Sequence, residues 1–333
     1  MVQHRYGVVL AGGEGRRVAS LVRRLRGDAL PKQYVAFVGT RSMLEHTWDR
    51  TERLLARSQV LTIISQDHLT HPQVRWQLNG RHQGTVIVQP ENLDTGPGVL
   101  LPLAYVRHSD PDAVVVIAPS DHCIIEEDLF MDYVDLAFRI VEQNASRLIL
   151  LGVEPKGPET EYGYLVPGPE SETTEAAPAR PRIARFVEKP PRHVAEPLIH
   201  EGALWNTMVM VCHVRTLFSW VERVAPDLHA AFATISDAIG TPCEDATVQD
   251  VYQHLAPTNF SRHIVEPLAS RHEAPLIALP LQGIAWSDWG SEDRIMEMAA
   301  QLGRLGRQAY GIAQRNTPGT YTLMAKDGVD GNT

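Results

Sequence analysis

Short apolar runs alternate with helical patterns along the first half of the chain. Each run is apolar at successive positions, which predicts a strand buried on both faces. The predicted strands are Tyr6–Leu10, Gln59–Ile64, Thr85–Val88, Ala113–Ile117 and Leu148–Val153. The predicted helices between them are Ser42–Leu55, about 98–107 and Leu129–Glu142. This alternation predicts an α/β fold with a mostly parallel central sheet covered by helices on both sides.

The pattern changes after residue 155. Two short strand patterns, Tyr164–Val166 and Ile183–Glu188, flank a polar stretch, GPESETTEAAPARP, which predicts an exposed loop. The later predicted elements are a helix at Arg192–His200, a strand at Thr207–Cys212, helical sequence at Leu217–Ile239, a strand at Ile277–Pro280 and a helix at Glu292–Leu305. We therefore predict one α/β domain over residues 1–300, with a C-terminal helix and polar tail over 301–333. No hexapeptide repeat occurs, so no C-terminal β-helix is expected.

Composition argues against several classes of protein. The formal net charge of −9 argues against general nucleic-acid binding. No apolar run approaches the ~20 residues that cross a bilayer, and the N-terminus lacks a signal-peptide pattern. The three cysteines are widely spaced and form no CxxC pair, which is typical of reduced cysteines in the cytoplasm. We therefore expect a cytoplasmic protein without membrane or nucleic-acid partners.

Positive charge is concentrated near the N-terminus. Residues 1–50 contain nine Lys or Arg and four Asp or Glu, although the whole chain is acidic. A solvated basic helix explains Arg23, Arg24 and Arg26 individually. The cluster as a whole favours a polyanionic ligand, such as a nucleotide, beside the first strand.

A glycine-rich turn follows the first predicted strand, in the sequence VVLAGGEGRR. Glycines at Gly12, Gly13 and Gly15 let backbone N–H groups point into one concavity, where they can bind an anion. Arg17 can grip phosphate oxygens, and Lys32 in the sequence PKQ adds a mobile cation. A Walker loop is excluded because no Gly-Lys-Ser/Thr follows, and the Rossmann fingerprint lacks its third glycine. A plain glycine turn with surface arginines remains an alternative.

Further motifs follow in order along the chain. VVVIAPSDH is a strand pattern that brings Asp121 to the carboxyl edge of the sheet, where α/β proteins bind ligands. The others are FVEKP after a Tyr-Gly-Tyr element, LWN, and AWSDWGS with Asp288 at its centre. Three of these motifs have a structural alternative: a helix cap at Asp121, an edge strand ending at the proline of FVEKP, and a turn at Asp288.

This ordered set of motifs resembles the sugar-1-phosphate nucleotidyltransferase family, also called sugar-nucleotide pyrophosphorylases. The PKQY and LWN sequences look most like its mannose-1-phosphate guanylyltransferase branch. The resemblance covers about residues 6–295. It implies a Rossmann-like three-layer sandwich, with a nucleotide-binding part over about 1–155 and a sugar-binding part over about 156–300.

The resemblance also implies roles for particular residues. The implied nucleotide-binding residues are Leu10, Ala11, Gly12, Gly13, Gly15, Arg17, Lys32, Gln89, Thr95 and Gly96. The implied sugar-phosphate-binding residues are Gly163, Glu188, Lys189 and Asn206. The implied catalytic residues are Arg17, Lys32 and Asp121, and the implied ligands of Mg²⁺, or of another divalent ion, are Asp121 and Asp288. The substrates would be a nucleoside triphosphate, with GTP favoured, and a sugar-1-phosphate, with mannose-1-phosphate favoured.

Two stretches depart from the branch pattern. Where the branch has an EPxGRNTAPA-like sequence, this chain reads QPENLDTGPG, so Leu93 and Asp94 replace an arginine and an asparagine. After LWN, the residues 207–209 are Thr-Met-Val rather than Ser-Gly-Met. These departures leave open a different base and sugar, or a nucleotide-binding regulatory protein that has lost turnover. An NAD-dependent oxidoreductase with an altered glycine loop is a further alternative, and a homo-oligomer is also left open.

Overall fold

The computed structural model describes residues 4–80, 84–174, 177–271, 273 and 276–309, with backbone alone for 169–181 and 304–309. Its strands are β1 Arg5–Leu10, β2 Val60–Ser65, β3 Thr85–Gln89, β4 Val114–Pro119, β5 Cys123–Ile124, β6 Leu148–Val153, β7 Gly163–Thr174, β8 Ala177–Glu188, β9 Leu204–His213, β10 Leu276–Leu281 and β11 Trp286–Ser287. Its helices are α1 Ala19–Arg26, α2 Met43–Thr51, α3 Pro72–Asn79, α4 Thr95–Ser109, α5 Glu127–Gln143, α6 Arg192–His200, α7 Val214–Val224, α8 Pro226–Ala238, α9 Glu244–His254, α10 Glu266–Ala269 and α11 Glu292–Ala309.

A nine-stranded central sheet has the order β3-β2-β1-β4-β9-β6-β10-β8-β7, and β7 also pairs with β9. The β1–β4 strands run parallel to one another, as do β6 and β10. However, β9 runs antiparallel between β4 and β6, and the β7–β8 hairpin adds antiparallel pairs at one edge. The α/β class is confirmed, but the sheet is mixed, which corrects the expectation of a mostly parallel one. The sequence did not reveal this because a strand buried on both faces shows the same apolar run in either direction.

Two buried layers cover the two faces of the sheet. Val8 and Val115 belong to a cluster that includes side chains of α4, α7 and α8. Their neighbours Val9 and Val116 belong to the opposite cluster, with side chains of α1, α2 and α5. Because successive residues of one strand point to opposite faces, this division shows a helix–sheet–helix sandwich of three layers.

The second half of the chain differs most from its sequence interpretation. The polar stretch expected to form a loop is largely strand, since β7 continues to Thr174 and β8 begins at Ala177. Paired backbones satisfy each other's hydrogen bonds there, as in the Glu172–Arg180 pair, so apolar side chains are not needed. The predicted terminal helix is present as α11, whereas the predicted polar tail from 310 onward lies outside the described residues. Among the helices described, none is both long and apolar enough to cross a membrane.

Candidate active site

A cavity of about 540 Å³ lies at the carboxyl ends of β1 to β4. Most of the residues predicted to bind a nucleotide line it, namely Leu10, Gly12, Gly13, Gly15, Arg17, Lys32, Gln89 and Thr95. Ala11 is fully buried, and Gly96 donates its N–H to the Thr258 carbonyl at 2.7 Å; neither is among the lining residues. Asp121 and Gly290 also line the cavity, so motifs from distant parts of the chain meet here.

Close packing of the glycine loop requires glycine at two of its positions. A Cβ on Gly12 would lie 2.6 Å from the Gln89 side-chain nitrogen, which is too close for any other residue without movement. Gly15 has a φ of 63°, and a Cβ there would lie 3.0 Å from the Lys32 backbone nitrogen. The loop therefore lies directly against β3 and the PKQ segment, and glycine permits that approach.

Gln33 fixes the shape of the same loop. Its side-chain amide donates to the carbonyls of Ala11 at 2.7 Å and Gly13 at 2.8 Å. The two carbonyls are therefore held by the Gln33 side chain, which fixes the conformation of the loop. The sequence predicts a role for the lysine of PKQ, and the structure adds this role for its glutamine.

Lys32 joins the two distant aspartate motifs. Its side chain is buried, and its Nζ lies 2.9 Å from Asp121 Oδ2. The same Nζ donates to the backbone carbonyls of Asp288 at 2.6 Å and Trp289 at 3.3 Å. One ammonium thus connects the segment after β4 with the WSDWG turn, beside the glycine loop.

The Asp121 carboxylate is held in its charged form. Burial tends to raise its pKa, but the Lys32 ammonium and His122 lower it, and the net result lies below the ordinary value. Burial lowers the pKa of His122 to about 4, so this imidazole is neutral at pH 7. Trp286 donates its indole N–H to His122 Nδ1 at 3.3 Å, which places the ring proton on Nε2, 3.7 Å from Asp121 Oδ1.

Asp288 is surrounded by hydrogen-bond donors. Its Oδ1 accepts from the Tyr162 hydroxyl at 2.9 Å, the Arg294 guanidinium at 2.6 Å and the Gly290 N–H at 2.9 Å. Its Oδ2 lies 3.3 Å from Arg17. Burial tends to raise the pKa of Asp288, but nearby cations lower it far below the ordinary value. Asp288 is therefore ionised at neutral pH.

Arg17 connects the glycine loop to the second half of the chain. Its guanidinium donates to Glu161 at 2.6 Å as well as contacting Asp288. Half of its side chain is exposed, and it lines the cavity. Arg17 is therefore placed where it can reach an anion bound on the glycine loop.

Asp121 and Asp288 are the carboxylates of this site that could hold a magnesium ion together with phosphate oxygens. Asp121 Oδ1 and Asp288 Oδ2 each have one long contact among the described residues, at 3.7 Å and 3.3 Å. Both carboxyl groups have lowered pKa values and so remain charged. The described residues contain no group of three or more His, Cys, Asp or Glu side chains suited to a metal by themselves. Mg²⁺ commonly uses one or two carboxylates together with substrate phosphates, so two carboxylates are enough.

The residues predicted to bind the sugar phosphate also come together. Strand pairing sets Gly163 beside Glu188, and Tyr164 beside Trp205, the residue before Asn206. The YGY, FVEKP and LWN motifs thus lie side by side at the ends of β7, β8 and β9. A Cβ on Gly163 would meet the Phe186 ring at 2.5 Å and the Glu188 carboxylate at 2.8 Å, so glycine permits the close approach of β7 to β8 at this position.

Glu188 and Lys189 form the polar centre of this second group. Glu188 is mostly buried, and burial raises its pKa although Lys189 and Arg262 partly oppose the shift. The Lys189 ammonium lies 3.9 Å from the Glu188 carboxylate and is half exposed. The charge of Asp94, which lines the nucleotide cavity, also raises the pKa of Glu188. Direct contacts also join the two groups, since the Ser261 hydroxyl meets Met208 Sδ at 3.2 Å and the neighbouring Phe260 N–H donates to the hydroxyl of Thr95 in the nucleotide cavity.

Sequence reasoning missed several residues of the site. Arg294 is one of them: it contacts Asp288, Glu159 and the face of the Tyr162 ring, 4.6 Å from the ring centroid. The sequence gave little indication of this role, because an arginine in the first turn of a helix is common. The segment 257–260, which packs against the start of α4, had no motif that would have revealed it.

Comparison with known proteins extends this picture. The family model for nucleotidyl transferases matches residues 6–304. The mannose-1-phosphate guanylyltransferase of Klebsiella pneumoniae is 29% identical over 299 residues, which cover 88% of this chain and 59% of that protein. The xanthan biosynthesis protein XanB of Xanthomonas campestris pv. campestris is 24% identical over 323 residues, which cover 96% of this chain and 64% of that protein. The chain thus spans less than two thirds of the length of these relatives.

A solved structure shows the same architecture. The crystal structure described as a mannose-1-phosphate geranyltransferase from Thermus thermophilus has a TM-score of 0.70 and 25% sequence identity, covering 86% of this chain and 77% of that one. The family match from residue 6 to 304 includes the glycine loop, both aspartate motifs and the sugar-side strands. The chain therefore belongs to the nucleotidyl transferase family.

Proposed function

We propose that this chain transfers a nucleotidyl group from a nucleoside triphosphate to a sugar-1-phosphate and releases pyrophosphate. The position of Lys32 supports this most directly, because its ammonium links Asp121 and the Asp288 turn at a cavity walled by the glycine loop. Phosphoryl-type transfer needs little covalent help from the protein, and placement and charge neutralisation carry the rate. A buried cation, two ionised carboxylates and a glycine loop are the groups that this chemistry requires.

The reaction uses the nucleophile that the substrate carries. An oxygen of the sugar-1-phosphate attacks the α-phosphorus, the bond from that phosphorus to the bridging oxygen breaks, and pyrophosphate leaves with the electron pair. The attacking phosphate is largely ionised at neutral pH, so no general base and no covalent enzyme intermediate are needed. His122 fits this scheme because it is neutral and hydrogen-bonded, and we assign it to the orientation of Asp121.

The cations and the loop have separate tasks. The backbone N–H groups of the glycine loop and the Arg17 guanidinium would bind the triphosphate oxygens. Lys32 would stabilise the negative charge that develops on the leaving pyrophosphate. Asp121 and Asp288 would hold Mg²⁺, which supplies further charge neutralisation between the two substrates when bound.

The acceptor sugar would bind at the second group of residues. Glu188 would accept hydrogen bonds from sugar hydroxyls, and Lys189 would hold the sugar phosphate. Asn206 is buried at the end of the same group, with its side-chain oxygen already accepting the Met208 N–H at 3.2 Å. Its amide nitrogen would then be the atom that meets the sugar.

For the individual substrates, we propose GTP and mannose-1-phosphate. The relatives named as mannose-1-phosphate guanylyltransferases support this choice, as do the PKQY and LWN sequences. A catalytically inactive regulatory protein is the main competitor, because Leu93, Asp94 and the residues 207–209 depart from the branch pattern. The complete set of Arg17, Lys32, Asp121 and Asp288 favours an active enzyme.

Pyrophosphate release tests the proposal. The protein is mixed with Mg²⁺, one of four nucleoside triphosphates and one of several sugar-1-phosphates, and pyrophosphate is measured over time. We expect release that requires both substrates, is highest for GTP with mannose-1-phosphate and stops when EDTA removes the metal. Asp121→Asn should abolish most of it, whereas Asp67→Asn, which alters an exposed carboxyl away from the cavity, should not. Nucleotide binding without release for any pair would establish the regulatory alternative.

A further inference from the structure

Arg294 joins the WSDWG turn to the loop that precedes β7. It lies in the first turn of α11, which begins at Glu292. Its guanidinium donates to Asp288 Oδ1 at 2.6 Å, pairs with Glu159 and lies over the Tyr162 ring, 4.6 Å from the ring centroid. Only 18% of the Arg294 side chain is exposed. Contacts with three separate residues therefore hold this guanidinium in one place.

The hydrogen bonds of Asp288 are divided unevenly between its two carboxylate oxygens. Oδ1 accepts three of them, from Arg294 at 2.6 Å and from the Tyr162 hydroxyl and the Gly290 N–H, both at 2.9 Å. An ionised carboxylate has about two lone-pair sites on each oxygen, so Oδ1 has none left for another partner. Among the described residues, Oδ2 has a single contact, with Arg17 at 3.3 Å. Asp288 therefore offers one oxygen, Oδ2, to a ligand.

The Asp121 carboxylate is arranged in the same way. The Lys32 ammonium lies 2.9 Å from its Oδ2. Its Oδ1 lies 3.7 Å from His122 Nε2, which is beyond hydrogen-bonding distance. Each of the two carboxylates thus has one oxygen bound to a buried or half-buried cation, and in the part of the chain that the structure describes its other oxygen has only a long contact.

The number of open oxygens affects which divalent ion such a pair of carboxylates can hold. Mg²⁺ is small, keeps several waters and uses one or two carboxylates together with phosphate oxygens. Ca²⁺ is larger, takes about six to eight oxygens and can bind both oxygens of one carboxylate. Two carboxylates that offer one oxygen each therefore suit Mg²⁺ and leave Ca²⁺ short of protein ligands.

We propose that Arg294 determines metal specificity: by occupying Asp288 Oδ1, it limits this carboxylate to one metal–oxygen bond and so favours Mg²⁺ over Ca²⁺. The inference rests on the proposed function for the assignment of a metal to Asp121 and Asp288. Arg294 is a positioning residue, because it acts through Asp288 and touches no substrate. Without its guanidinium, only Tyr162 and Gly290 would hold Oδ1, and both carboxylate oxygens could then turn toward a metal.

Competition between metal ions tests this role without any nucleotide. Binding of Mn²⁺ alone is followed through the electron paramagnetic resonance signal of the free ion, and Mg²⁺ or Ca²⁺ is titrated as the competitor. In Arg294→Met, we expect the ratio of Ca²⁺ affinity to Mg²⁺ affinity to rise about tenfold over wild type, a size typical of changes to the groups that hold a metal ligand. Both ions carry the same charge, so this ratio separates the number of available oxygens from the loss of a nearby cation.

Two further variants accompany Arg294→Met. Tyr162→Phe removes another donor from the same Oδ1 with little change in volume, so it should shift the ratio in the same direction and replaces Arg294→Met if that variant does not fold. Arg24→Met is the matched control, because it removes an exposed cation that pairs with Glu292 at the start of the same helix. It should keep the wild-type ratio.

The outcomes for the inference and for the proposed function are distinguishable. An unchanged ratio in folded Arg294→Met, or in Tyr162→Phe where it replaces that variant, would refute the inference. Mn²⁺ binding that Asp288→Asn does not weaken would also refute it, because Asp288 would then not be a metal ligand. Pyrophosphate release is measured separately, so a protein that shows the altered ratio but transfers no nucleotidyl group would overturn the proposed function and support the role of Arg294.

Discussion

Among the described residues other than glycine, positive φ angles occur next to the predicted functional motifs. They belong to Asp94, Lys189, Met208 and Trp289, with φ values of 70°, 48°, 59° and 47°. Such conformations cost roughly 1–3 kcal/mol each and are common at functional sites. Met208 occupies the position at which the guanylyltransferase branch has glycine, so the chain keeps a glycine-like backbone without the glycine. Met208 thus has a backbone conformation that glycine would adopt without strain.

Lys189 allows strain and function to be separated. We expect Lys189→Gly and Lys189→Ala to raise the KM for the sugar-1-phosphate equally, because both remove the ammonium. Lys189→Gly should nevertheless be more stable than Lys189→Ala by about 1 kcal/mol, since glycine alone relieves the positive φ. Denaturant unfolding compares the two variants. Equal stabilities would show that the backbone at this position is not strained.

At the scale of elements, strand register assembles the sugar side of the site. Because Gly163 pairs with Glu188, any side chain at Gly163 is forced against Glu188 and the buried Phe186. We expect Gly163→Ala to destabilise the protein by about 1–3 kcal/mol, which is typical of overpacking, and to raise the KM for the sugar-1-phosphate. Thermal unfolding and initial rates measure the two effects.

Gly157→Ala is the matched control for that variant. A Cβ at Gly157 would meet no heavy atom within 4 Å, so this change should alter neither stability nor KM noticeably. If Gly157→Ala and Gly163→Ala changed stability and KM by the same amounts, the close contact between β7 and β8 at Gly163 would be contradicted.

Sequence patterns predicted the elements better than their arrangement. Runs such as Leu148–Val153 matched β6 because six buried apolar residues are a strong strand signal. The direction of β9 and the length of the β7–β8 hairpin could not be predicted, since neither depends on apolar patterning. The hydrogen bonds from Lys32 to the Asp288 turn could not be predicted from the sequence either, although the motifs indicated that both segments belong to one site. Arg294 and Asn259 could not be predicted either. They come close to Asp288 and Asp94 only through the tertiary fold, which no local sequence pattern indicates.

At the scale of the whole molecule, ion pairs connect the first and last parts of the chain. The pKa of Asp288 is lowered because Lys32 and Arg294 outweigh its burial. A lowered pKa means that the charged carboxyl stabilises the fold above the ordinary Asp pKa of about 4, and that this contribution is lost as the pH falls below it. We expect the unfolding free energies of wild type and Asp288→Asn to converge as the pH is lowered from 7 toward 2. A constant difference between them across that range would contradict the electrostatic role of Asp288.

The central proposal is that the nucleotidyl group is transferred at the cluster around Lys32. Lys32→Met keeps the length of the buried side chain but removes the ammonium between Asp121 and the Asp288 turn, and Arg23→Met removes an exposed cation from α1 as a control. The measurement is kcat for pyrophosphate release from GTP and mannose-1-phosphate. We expect kcat to fall about 100-fold or more in folded Lys32→Met and hardly at all in Arg23→Met. A folded Lys32→Met protein with a kcat within about threefold of wild type would contradict the transfer of the nucleotidyl group at this cluster.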